Sequence, residues 1–274
     1  MMREELLHIR QDVFRMAMLG GAGHLASSFS SVELLYALYL GGVMRYDASR
    51  PDWPERDRLI LSKGHAAMAL YAVLSRAGLL ERDALWSYLK PDQPLGGEPC
   101  PQSASGIEAA TGSLGHGLSQ AVGMAYAAKL DYRPSRVFAL LGDGELQEGS
   151  VWEAVMSAAH LQLDSLMAIV DQNGLQKMDS VANIMSITEY RSRFEAFGWE
   201  VVEADGHDVD AIVAALNAPV SGLPRMLLAH TIKGKGVSLM ENDPQWHYKL
   251  PNKRDRKAFL QELNMTEDDL CKSR

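Results

Sequence analysis

The segment Arg136-Val137-Phe138-Ala139-Leu140-Leu141-Gly142-Asp143-Gly144-Glu145-Leu146-Gln147-Glu148-Gly149, answered further on by Leu166-Met167-Ala168-Ile169-Val170-Asp171-Gln172-Asn173-Gly174-Leu175, decides the fold. Residues 136–141 and 166–170 are apolar runs of strand length, and Ser150 to Leu161 between them reads as a helix because Val151, Val155, Ala158 and Ala159 recur at helical spacing. Strand, crossover helix and strand make a parallel unit whose carboxyl-end loops face one crevice. Asp143 and Asn173 stand on those two loops. A small hard cation takes oxygen ligands and is often shared between one or two protein oxygens and ligand phosphates. A carboxylate and an amide oxygen meeting at a crevice therefore suit Mg2+ and a diphosphate. Gly142 and Gly144 are expected to give a tight turn and close backbone approach to phosphate, and the next helix start to offer N–H groups to the anion. The plainer reading of the same residues is an acidic turn beside an Asn-Gly turn.

The whole chain sets bounds on that site. At 274 residues, 47% hydrophobic and 23% charged, it has globular composition, and a single α/β domain over residues 1–274 with a charged helical tail from about residue 253 is expected. A net charge of −8 without a compensating Lys/Arg run argues against a nucleic-acid surface, so affinity for phosphate must be local. No signal-peptide core opens the chain and no apolar stretch is long enough to span a bilayer, so no membrane partner is expected. Cys100 and Cys271 lie far apart without disulfide or zinc spacing, which suits reduced thiols in a cytoplasm.

Taken in order, residues 3–19 form a helix with Leu6, Ile9, Val13 and Met16 on one stripe, stopped at Gly20-Gly21. A second helix is expected from Ser30, which has capping-box spacing to Glu33. Gly21-Ala22-Gly23-His24-Leu25-Ala26 between them matches a dinucleotide fingerprint only formally, since no strand precedes it. Residues 45–58 read as a surface connection. Leu59-Ile60-Leu61 is a buried strand that delivers Ser62-Lys63-Gly64-His65 to a helix start over residues 66–77, where a histidine can meet a phosphate. Residues 95–117 are Gly- and Pro-rich and too long for an idle connection, so they should shape the site. A helix over 118–130 follows, with His116 as helix-start structure. Beyond the central unit come a loop over 177–188 able to close on the site, a helix over 189–197 and a strand at 199–202. Asp205-Gly206-His207-Asp208 is a turn and N-cap with a structural histidine, and 225–230 is the last strand. The order of elements is that of a doubly wound parallel sheet flanked by helices, with the proposed ligands at strand carboxyl ends.

Gly-Asp-Gly followed at this distance by Asn resembles the thiamine-diphosphate motif, and Gly142 to Gly149 with Val151-Trp152-Glu153-Ala154 resembles its transketolase version. The resemblance implies the family's diphosphate-binding (PP-type) domain, with Asp143, Asn173 and the Leu175 carbonyl holding Mg2+ or Ca2+. Gly23-His24-Leu25-Ala26, Ser62 to His65, Thr111 to Gly117, Thr231 to Gly236 and Gln245-Trp246-His247 are similar to further family segments in the same order. They imply His24, His65 and His247 around the reacting carbons and diphosphate, Leu114 at the aminopyrimidine and Ile232 beside the thiazolium ring. Gly142, Gly144, Glu145 and Asn173 would complete the cofactor contacts, and Glu148 would communicate with a partner's catalytic glutamate. The three histidines would suit proton transfer or hydrogen bonding to hydroxyls near neutral pH.

Nothing in the chain resembles the family's second, pyrimidine-binding domain. The implied protein is thus the N-terminal subunit of a split transketolase, paired with a C-terminal chain in an α2β2 assembly and moving a two-carbon ketol unit between sugars or sugar phosphates. The family usually has Gly-His-Pro where this chain has Gly97-Glu98-Pro99, which makes Glu98 a candidate for substrate specificity. Rival expectations are another thiamine-diphosphate enzyme of deoxyxylulose-phosphate synthase or dehydrogenase E1 type, a regulatory subunit without turnover and, weakest, a plain nucleotide-binding module.

Overall fold

A computed structural model of the chain describes residues 2–186 and 189–271; Ile187 and Thr188 of the expected 177–188 loop, and the side chain of Cys271, lie outside the described residues. Five parallel strands, β1 (Arg58–Leu61), β2 (Val137–Gly142), β3 (Leu166–Gln172), β4 (Glu200–Asp205) and β5 (Arg225–His230), stand in the order β1-β2-β3-β5-β4. Alternate residues of the inner strands point to opposite faces, and both faces are apolar. Val137, Ala139 and Leu141 meet α5 (Gly117–Leu130) and α6 (Gly149–His160) on one side, together with Phe194 of α8 (Tyr190–Ala196). Phe138, Leu140, Met167 and Ile169 meet the other cluster, built from α1 (Met2–Gly20), α2 (Leu25–Ser30), α3 (Val32–Tyr39), α4 (Ala67–Arg76) and α9 (Val209–Asn217). A sheet covered on both faces is the parallel arrangement that continuous apolar strands require. The short α7 (Val181–Ile184) lies in the 177–186 stretch, and α10 (Lys253–Glu262) and α11 (Glu267–Cys271) end the described chain.

Three local expectations change. Ser30 is not a helix cap: it is the last residue of α2, α3 starts after Ser31, and neither serine makes a side-chain capping bond. Both hydroxyls instead donate to the buried carboxylate of Asp171, at 2.6 and 3.1 Å, and Glu33 is taken by Arg10 at 2.7 Å. A buried anion leaves more unsatisfied if deprived of donors than a helix end near solvent does. The connection over 45–58 is not all surface, because the fully buried Asp57 accepts from the backbone N–H groups of Arg45 and Arg136. The charged helix expected from about 253 is also tied to the core. Phe259 of α10 is fully buried, with its ring 5.3 Å from Phe14 of α1 and 5.2 Å from Trp246.

That contact makes α10 a clamp on the 244–247 segment. Phe259→Ala should lower unfolding free energy by about 3–5 kcal/mol, whereas Lys257→Ala on the exposed face of the helix should change it by less than about 0.5 kcal/mol. Chemical denaturation of the two variants side by side checks this.

Candidate functional site

Parallel strands deliver every loop at their carboxyl ends to one edge of the sheet. There β1 leads to Lys63, β2 to Asp143, β3 to Asn173 and β5 to Thr231, and Lys63, Asn173 and Thr231 are tied through one side chain. Asp171, fully buried, accepts from Lys63 Nζ, Ser30 Oγ and Ser31 Oγ at one oxygen, and from Thr231 Oγ1 and Asn173 Nδ2 (3.1 Å) at the other. Burial alone would push its carboxyl up, but the Lys63 ammonium, its hydrogen bond and the Ser30 and Thr231 hydroxyls hold it well below the usual carboxylate range. The cluster fixes Asn173: with Nδ2 spent on Asp171, Oδ1 is the atom turned to the loop, where it accepts from Leu175 N–H at 3.1 Å.

Asp143 lies opposite, 2% exposed. Its oxygens accept from Gly144 N–H at 2.8 Å and Gly174 N–H at 2.6 Å, and no cationic side chain among the described residues pairs with it. Burial, then the neighbouring Asp171 charge, raise its carboxyl to about 6 against those two backbone bonds. A buried carboxylate, an amide oxygen and the Leu175 carbonyl form an all-oxygen donor set with one uncompensated negative charge, the chemistry a hard divalent cation fits. The Leu175 carbonyl accepts at 3.1 Å from Lys233 Nζ, which also reaches the Gln176 carbonyl and His247 Nδ1 at 3.2 Å.

The two glycines do not owe their place to left-handed turn geometry. Neither Gly142 nor Gly144 has a left-handed backbone. A side chain at 144 would strike Gln176 at 2.9 Å, while one at 142 would meet nothing nearer than 4.0 Å. Room rather than turn geometry is what Gly144 provides. Glu145 is buried and clamps the floor, accepting from Ser62 Oγ, Gly115 N–H (2.9 Å) and Gly142 N–H (3.1 Å).

Above this floor a cavity of about 390 Å³ opens between the loops. His24, His65 and His247 line it with ring centres 5.0–5.8 Å apart, joined by Glu98, Leu114, Gly142, Asp143, Gly144, Glu145, Glu148, Asn173 and Leu175 of the expected set. Burial, followed by the charges of Lys233, Lys63 and Lys177, lowers His24 to about 4; burial and the Lys233 charge lower His247 to about 3, and burial and Lys63 take His65 well below its usual value. All three rings are therefore neutral near pH 7, suited to directing hydrogen bonds rather than to storing protons. Glu148 sits exposed at the rim as the residue before α6, packed against Gly115. Ile232 is not brought to the cavity: its N–H is bonded to His207 Nε2 at 2.8 Å, and it faces a neighbouring cleft. His207, whose Nδ1 lies 3.1 Å from Glu33, is structural as expected. His116, at the start of α5, is exposed and outside the cavity.

Sequence reasoning missed Lys63, Asp171, Lys233 and Gln176. The signal for Lys63 and Asp171 was their position, charged residues directly after apolar strands, where charge is tolerated only if paired. Gln176 gave none; its buried Nε2 lies beside Gly144 without a partner among the described residues. A larger cavity of about 420 Å³ behind the Asp143 loop, lined by Tyr190, Arg191 and His230, lacks the histidines and the Asn173 and Leu175 oxygens.

The family described as "Transketolase, thiamine diphosphate binding domain" matches residues 9–266. The chain is 38% identical over 245 residues to an apulose-4-phosphate transketolase subunit of Phocaeicola vulgatus, covering 89% of this chain and 86% of that protein. It is 40% identical to the 6-deoxy-6-sulfo-D-fructose transketolase subunit SqwG of Clostridium sp., covering 89% of each. Human transketolase is 41% identical over 89% of this chain, which spans only 39% of that protein. Among solved structures, transketolase from Leishmania mexicana superposes with a TM-score of 0.87 at 26% identity, over 98% of this chain and 43% of that one.

The raised Asp143 carboxyl has a consequence for the cation-free protein. Its folded value of about 6 exceeds its ordinary 3.8, so its contribution to stability is complete below about pH 4 and is lost as pH rises through 6. In excess chelator, Asp143→Asn should be more stable relative to wild type at pH 7 than at pH 4. Equal wild-type and variant pH profiles in urea unfolding would contradict this origin.

Proposed function

The chain belongs to the transketolase family, and on that footing we propose that it is the cofactor-anchoring subunit of a two-chain transketolase, moving a two-carbon ketol unit from a ketose to an aldose. The single observation that carries this reading is the meeting of Asp143, Asn173 and the Leu175 carbonyl at the floor of the same cavity whose wall holds three neutral histidines. Thiamine diphosphate, when bound, supplies the carbanion that makes and breaks the carbon–carbon bonds. This chain's residues hold and orient. Asp143, Asn173 and Leu175 would take Mg2+ or Ca2+, and Gly144, with the room it leaves beside Gln176, would admit the diphosphate. His65 and His247 would hydrogen-bond diphosphate oxygens and sugar hydroxyls, and His24 would contact the sugar. The backbone near Leu114 would touch the aminopyrimidine.

A partner subunit follows from two facts. The relatives covered along most of their length are themselves named as subunits of transketolases, and the chain spans about two fifths of the undivided transketolases it matches. Glu148 at the open rim is our candidate for the residue that meets the partner's glutamate, with two copies of each chain in the assembly. We read residues 1–274 as one domain. No helix among the described residues is long and apolar enough to cross a membrane; a reducing cytoplasm is our proposal from the spacing of the two cysteines.

Mixing the purified chain with the neighbouring-encoded candidate partner should yield Mg2+-dependent ketol transfer that neither chain shows alone. Asp143→Ala in the pair should weaken cofactor binding by more than about 100-fold, beyond the range of outer-sphere changes, while leaving the circular dichroism spectrum intact. Turnover by this chain alone would overturn the two-chain reading.

A further inference from the structure

We propose, building on the ketol-transfer reading, that Glu98 restricts the donor to neutral hydroxymethyl ketones and rejects 2-oxo acids. Its side chain is exposed in the cavity wall and makes no hydrogen bond among the described residues. Its backbone is fixed, because the Tyr71 hydroxyl donates to the carbonyls of both Gly96 and Glu98 at 3.2 Å. The carboxylate lies flat on Gly112, where any Cβ would overlap its Oε2 and Cδ. Gly112 also has φ of +130°, a conformation that L side chains rarely adopt. Backbone and neighbour together therefore hold this carboxylate at the wall.

No cationic side chain among the described residues pairs with it. Lys63 is committed to Asp171, Lys233 is bonded to the Leu175 and Gln176 carbonyls at the floor, and Lys177, which also lines the cavity, forms no ion pair with Glu98. The three histidines carry no charge near neutral pH. A group bound in a space of about 390 Å³ lies within roughly one 8 Å screening length of Glu98 at physiological salt, so the Glu98 charge is felt by whatever enters.

A carboxylate only accepts hydrogen bonds. A hydroxymethyl ketone brings a hydroxyl that donates to it, whereas a 2-oxo acid brings a second anion next to the reacting carbonyl. A phosphate at the far end of a sugar chain is several carbons away and escapes this repulsion. The two donor classes differ in what leaves. From the ketone, the bond between the carbonyl carbon and the adjoining hydroxymethine carbon breaks and an aldehyde departs, its hydroxyl proton balancing the one gained by the acceptor's new hydroxyl. From the 2-oxo acid, the bond to the carboxyl carbon breaks, CO2 departs, and one proton is taken up from solvent.

The test uses the assembled two-chain enzyme with glyceraldehyde as acceptor, so that either donor yields xylulose, and compares kcat/KM for erythrulose with that for 3-hydroxypyruvate. Wild type should favour erythrulose. Glu98→Gln, which keeps the size and one acceptor oxygen, should shift the ratio toward hydroxypyruvate by about tenfold or more, chiefly through KM for the acid, while Glu98→Asp retains the wild-type preference. An unmoved ratio in a folded Glu98→Gln enzyme, or a wild-type preference for hydroxypyruvate, would overturn the proposal. Failure of wild type to transfer from either donor would instead overturn the ketol-transfer reading beneath it.

Discussion

The carboxylate of Asp171 joins the ends of β1, β3 and β5 to the α2–α3 junction, taking donors from Lys63, Ser30, Ser31, Thr231 and Asn173. A lone buried charge is prohibitively costly, and a buried pair is tolerable only when its remaining lone pairs are satisfied. The donors around Asp171 come from four separate stretches of chain, so the charge can be satisfied only if all of these loops arrive together. The apolar faces of the sheet fold the chain, and this anion sets the register of its carboxyl edge. A salt bridge of this kind adds little net stability by itself; what it supplies is a single arrangement of the site.

From that arrangement the polarity of the cavity follows. Lys63 is consumed by Asp171, so Asp143 is left buried without a paired cation, the reason we propose it as a cation ligand. Asn173, steered by its bond to Asp171, adds its oxygen on the neighbouring loop. The lysines and burial together strip the proton from His24, His65 and His247, which turns a trio of ordinary bases into fixed hydrogen-bonding groups. On the reading we propose, one end of the cavity takes a metal and a diphosphate and the other hydrogen-bonds hydroxyls.

Much of this was legible in the residues. The apolar runs of β2 and β3 and the helix between them were plain, because a strand buried on both faces has no polar alternation to confuse it, and the parallel unit placed Asp143 beside Asn173. The histidine loops could be collected only through family resemblance, since a histidine in a Gly-rich loop carries no spacing signal of its own. The errors were long-range. Ser30 matched a capping box locally but is claimed by a carboxylate 141 residues away. The charged pattern of α10 concealed the one face that Phe259 buries. Local propensity cannot foresee which distant group will outbid it.

The central claim is that Asp143, Asn173 and the Leu175 carbonyl hold a divalent cation against the cofactor's diphosphate. Electron–nuclear double resonance on Mn2+ in the assembled enzyme with thiamine diphosphate addresses it directly. The account predicts one tightly bound ion per copy of this chain with resolved 31P coupling from directly bound phosphate oxygens, lost in Asp143→Ala. A bound ion without 31P coupling, or coupling undiminished in that variant, would contradict it.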